Sequence, residues 1–179
     1  MESSGKHPQI TVSPETADVD QFKLQHLLQQ IRDNQSLGMG TLAGVGAACL
    51  GAVVWAIITA LTSYQIGFMS IGVGFLAGYA LQYFGKGIYK QFGVAGALLS
   101  LFGCLAGNLL TVCIVVSQQE SVPLTQILQS LTPDIAISLL VDTFSPMDVL
   151  FYGIAIYYGY RYSFRKLTTE EIASVTKRA

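Results

Sequence analysis

Four stretches of the chain are almost wholly apolar, and polar or charged segments separate them. About 20 apolar residues in a helix cross a hydrocarbon core, so the stretches at about 37–62, 66–84, 94–117 and 146–164 predict four membrane spans. Residues 1–18 are polar, carry Pro8 and Pro14, and predict a disordered tail. Between 19 and 35, Phe22, Leu24, Leu27, Leu28 and Ile31 recur at helical spacing while Gln25, Gln29, Gln30, Arg32 and Asp33 fill the other face, which predicts a short amphipathic helix. Residues 165–179 form a second polar tail, with a weak helical stretch opened by a Thr-x-x-Glu pattern.

Small residues give the spans a finer pattern. In the first span Gly40, Gly44, Ala48, Ala52, Ala56 and Ala60 recur at every fourth position and make one smooth stripe. Such stripes let helix backbones approach closely where lipid offers no hydrophobic contrast. Ser70, Gly74 and Gly78 repeat the spacing in the second span. A very short turn at 62–65 folds spans one and two into an antiparallel hairpin, where the two smooth faces can meet. Gly96, Gly103 and Gly107 supply small positions in the third span, and Trp55 lies deep enough in the first to pack between helices.

The loop at 85–93 places Tyr89 and Phe92 at interfacial depth beside Lys86 and Lys90. The segment 118–145 holds two short apolar stretches, neither long enough to span. Pro123 and Pro133 each predict the first position of a helix, with Thr132 capping the second. Ser145, Pro146 and Asp148 give a strong start signal for the fourth span.

Charge orients this architecture. All ten Lys and Arg residues lie in the tails, in the amphipathic helix at 19–35, in the loop at 85–93, or at the matching ends of the spans, and 118–147 contains none. Basic residues mark the cytoplasmic side, so both termini are expected inside, with 118–145 as an outer cap. The first 36 residues are polar and the first apolar run is too long for a cleaved signal, so span one is expected to serve as its own insertion signal. Charged residues make up 12% of the 179, about half the share of a soluble domain, and the net charge of −1 leaves no basic stripe for nucleic acid.

Candidate chemistry is sparse. Cys49, Cys104 and Cys113 lie inside apolar stretches without a CxxC pair or a Cys/His cluster, so neither a disulfide framework nor a zinc site is expected. Gly72-Val-Gly74-Phe-Leu-Ala77 matches a dinucleotide fingerprint in letters only, since it falls inside an apolar helix with no preceding strand. Glu120, Asp134, Asp142 and Asp148 could gather a divalent cation, or could simply be the acidic side of a one-sided charge distribution. Asn108 is the one strongly polar side chain of span three. It either bonds to another span or lines a path for a solute. No cofactor is expected and no enzymatic constellation is visible.

The stretch WAIITALTSYQIGFMSIGVGFLAGYALQYFGKG, continued by FGVAGALLSLFGCLAGNLL, resembles a group of uncharacterised small four-span bacterial integral membrane proteins. The resemblance covers about residues 50–110 and implies a bacterial inner membrane. The expectation is an all-α protein: a four-helix transmembrane bundle with a short amphipathic inner N-terminal helix and two short outer interfacial helices. Its partners are the lipid bilayer and either copies of itself or another membrane protein. Gly40, Gly44, Ala48, Ala52, Gly74, Gly78, Gly103 and Gly107 are the expected helix-packing residues. The expected role is a non-enzymatic scaffold or accessory subunit assembling through these faces, with a small oligomeric channel or carrier using Asn108 as the alternative.

Overall fold

The computed structural model describes residues 21–62 and 67–175, and every regular element among them is a helix. In chain order these are α1 (Gln21–Asp33), α2 (Leu37–Thr62), α3 (Phe68–Gly85), α4 (Lys90–Gln119), α5 (Leu124–Gln129), α6 (Pro133–Thr143), α7 (Pro146–Tyr162) and α8 (Thr169–Val175). The tail expected over 1–18, the turn at 63–65 and the end of the C-terminal tail lie outside the described residues.

The chain divides into two compact units, one of residues 31–165 and one that joins the segments before and after it. In the smaller unit, Phe22 meets His26 edge to face, with ring centroids 4.5 Å apart. There the backbone N–H of Thr168 donates to Glu171 at 2.9 Å, half of the expected Thr-x-x-Glu cap of α8.

In the larger unit α3 and α4 pack together, and α2 and α7 each pack on both of them. Since α2 and α7 do not meet, they flank the α3–α4 pair on opposite sides. Helices α2, α3 and α4 are long and apolar enough to cross a membrane. Helix α7 is not so by itself: its 17 residues extend about 25 Å at 1.5 Å each, short of a hydrocarbon core of about 30 Å. It reaches the criterion only together with α6, from which it is bent by 107°.

Residue size sorts the helix faces in the sense opposite to a soluble core. Buried positions are mostly small: Gly40, Gly44, Ala48, Ala52 and Ala56 on α2, and Gly74, Ala77 and Gly78 on α3. Large apolar side chains face outward, among them Leu42, Leu50, Leu61, Phe68, Leu98 and Val149. In water such a surface would expose far more contiguous apolar area than a monomer tolerates. In a bilayer it faces acyl chains, and the small residues provide close packing.

At the α3–α4 loop the structure departs from the expected 85–93 segment. Helix α4 already begins at Lys90, so the connection is only 86–89. Lys86 closes α3 in the left-handed region (φ 50°), with its N–H on the Gln82 carbonyl at 3.0 Å. Phe92 is buried, not interfacial, because its ring fills the space over Gly85 and Gly87, where neither residue has a side chain. The loop is tied down by Ser36 N–H to Gly85 O (3.0 Å), Arg165 N–H to Gly87 O (2.9 Å) and Gln82 Nε2 to Phe164 O (2.7 Å).

At the opposite end α5 and α6 rest on α4. Thr132 caps α6 by accepting from Ile135 N–H at 3.4 Å, with Pro133 at the first position as expected. Pro123 instead stands at the N-cap of α5, one residue earlier in the helix frame than expected. Ser145 and Asp148 form a reciprocal capping box at the start of α7.

Candidate functional site

The small residues first show where the helices meet. A methyl carbon built on Gly40 would lie 2.7 Å from the Gly85 Cα of α3, and one on Gly44 would lie 2.6 Å from the Leu99 side chain of α4. Further along, Gly103 faces Ala48 and Gly107 faces Ala52, so the α2 stripe runs along the groove between α3 and α4. Gly74 and Gly78 have the nearest neighbours of their Cβ direction on a different helix. They face Ala155 and Gly159 of α7, with the Ala155 Cα 2.8 Å from a methyl built on Gly74. All eight expected packing residues therefore make contacts within this chain.

Most hydroxyls at these seams are turned back onto their own helix. Ser100 Oγ donates to Gly96 O (2.7 Å) and approaches Gly74 O (3.4 Å), Ser163 Oγ donates to Gly159 O (2.5 Å), and Thr111 Oγ1 donates to Gly107 O (2.8 Å). This back-bonding satisfies a buried hydroxyl without help from another helix.

Near the α5–α6 end the arrangement changes. A cleft of about 450 Å³ lies between the final turns of α2 and α4, with Thr143 of α6 also on its wall. Thr59, Asn108 and Thr111 are its buried members, whereas Gln118 and Gln119 are exposed. Asn108 to Gln119 is eleven residues of one helix, so the cleft descends about 16 Å from its mouth. Val112, Val115, Val116 and Ala60 supply apolar wall, and among the described residues no charged side chain lines it.

Thr59 is 4% exposed, and its Oγ1 has no hydrogen-bond partner among the described residues. Thr62, on the next turn, makes the usual bond back to Ile58 O at 2.8 Å. Below Thr59, Trp55 is buried against Gly107, as its depth in the sequence suggested. Asn108 is 1% exposed and has the Tyr152 hydroxyl of α7 as a neighbour, a group that Asp148 and Cys104 also approach. Asn108 thus stands where the cleft floor meets the α4–α7 contact.

Elsewhere the chemistry stays dispersed. Among the described residues no three His, Cys, Asp or Glu side chains gather, so no three of Glu120, Asp134, Asp142 and Asp148 form a common cluster. Sequence reasoning singled out Asn108 but not Thr59, which reads as one more helical threonine in an apolar run. It also missed the α7 stripe Ala155, Gly159 and Ser163, whose fourfold spacing was legible but lay among five tyrosines. No known protein family, curated protein or solved structure matches the chain.

Proposed function

We propose that the chain is a four-span protein of a bacterial inner membrane, with both termini cytoplasmic, acting as a non-enzymatic scaffold or accessory subunit of a membrane assembly. The observation that carries this reading is the sorting of residue size. Glycine, alanine and serine occupy the helix contacts while large apolar side chains cover the outside, which suits a surface surrounded by lipid or by another membrane protein. Because the glycine faces meet within the chain, assembly would use the outward faces, such as Phe75, Tyr79 and Tyr83 of α3, or the amphipathic α1. The absence of basic residues from 118–147 supports the orientation.

The test is the mass of the full chain extracted from its native membrane in lipid nanodiscs. A defined complex larger than one chain, kept in Asn108→Leu, supports the scaffold. A monomer under all conditions overturns it.

A second reading, a small oligomeric channel or carrier, draws support from the polar floor of the cleft beside Asn108. It requires solute flux in liposomes holding the purified chain, and that flux must be lost in Asn108→Leu.

A further inference from the structure

The cleft between α2 and α4 combines three properties that together define a ligand. Its buried end offers hydrogen-bonding groups, its upper wall is apolar, and among the described residues nothing on its lining is charged. A charged ligand would have to leave water for a site without a counter-charge, which costs several kcal/mol or more. A purely apolar ligand would cover a buried hydroxyl without satisfying it, and an unmade hydrogen bond is the more expensive outcome.

The hydrogen-bonding capacity can be read group by group. The hydroxyl protons of Thr111 and Thr143 are committed to Gly107 O and Leu139 O, at 2.8 and 2.6 Å, so these oxygens face the cleft as acceptors only. Thr59 Oγ1 is the exception, since its proton and its lone pairs are both uncommitted. Gln118 and Gln119 at the mouth offer amide donors and acceptors to an entering molecule. The Asn108 amide at the floor adds donor and acceptor groups, so the buried end complements a ligand whose O–H groups both give and receive hydrogen bonds.

We propose that this cleft binds an uncharged, hydroxyl-bearing group of glycerol type, with the Thr59 hydroxyl as its anchor on the α2 side. The group can come from a free polyol or from the head of a neutral glycerolipid whose chain lies along Val112, Val115 and Val116. The size fits, because ligand sites commonly enclose about 300–1,000 Å³. Binding concerns this site alone and is independent of the assembly reading.

The protein carries its own reporter. Trp55 is the only tryptophan, and it lies one helical turn from Thr59 on the same buried face of α2. The full chain in phosphatidylcholine vesicles, whose headgroups bear no hydroxyl, is titrated with glycerol and separately with monoolein while Trp55 emission is followed.

A saturable change that weakens roughly tenfold in Thr59→Val and recovers in Thr59→Ser supports the site, as expected for loss of one hydrogen bond. A response to glycerol identifies a free polyol as sufficient, and a response to monoolein alone identifies the lipid. Equal binding by Thr59→Val, or no saturable response to either probe, overturns the proposal. Thr59→Val preserves shape, and retention of the wild-type thermal transition shows that its loss of response is not unfolding.

Discussion

Ser100 and Gly159 lie in direct contact across the α4–α7 seam, so closely that a methyl carbon on Gly159 would overlap the Ser100 hydroxyl. The same methyl would come within 2.7 Å of the Gly96 carbonyl oxygen. Ser100 also reaches from α4 toward Gly74 O of α3, so this point joins three helices.

Gly159→Ala is therefore expected to destabilise the chain by about 1–3 kcal/mol, the usual cost of overpacking. The measurement is reversible unfolding in mixed micelles. Adding Ser100→Gly should recover only part of the loss, because the Gly96 carbonyl remains in place and backbone cannot rotate away. Full recovery would mean that the serine side chain alone sets the limit.

Gly72 and Gly74 share one short motif but should respond in opposite ways. A methyl on Gly72 meets nothing within 4 Å, whereas one on Gly74 runs into the backbone of Ala155. Gly72→Ala should stay within about 0.5 kcal/mol of the wild type or gain slightly from helix propensity. Gly74→Ala should lower stability by about 1–3 kcal/mol. Equal effects in the same unfolding assay would contradict the observed α3–α7 packing.

The start of α7 depends on its capping box. Ser145 accepts from Met147 N–H at 3.3 Å, and Asp148 accepts from Ser145 N–H at 2.8 Å. Ser145→Ala should cost about 0.5–2 kcal/mol, while Ser145→Asp should retain most of the cap. Proteolysis near residue 145 offers a local readout, with faster cleavage expected in the alanine variant only.

Orientation is open to a direct test. A reporter active only in the cytoplasm should be silent when fused after residue 130 and active when fused after residue 179. Activity at 130 would reverse the topology that the charges imply.

The α2 stripe was legible because small residues at every fourth position make a slowly drifting face, and Gly40, Gly44, Ala48, Ala52 and Ala56 of it are buried. The cap at Ser145 was legible because its partners lie within three residues. Pairing was not legible. Gly74 and Gly78 have the same spacing as Gly40 and Gly44, and no local rule says which stripe meets which. Phe92 was misplaced for a related reason, since its aromatic ring suits an interface unless glycines elsewhere leave a hollow for it.

By itself the sequence determined the helices, the smooth faces and the one-sided charge, all of which follow from periodicity and composition within a single segment. Only the tertiary structure decided that α7 receives Gly74 and Gly78, that α2 and α7 lie apart, and that Thr59 joins Asn108 around one cleft. The reason is physical: where lipid is as apolar as the helices, hydrophobicity does not choose partners. Shape and hydrogen bonding between distant segments do, and these exist only once the chain has folded.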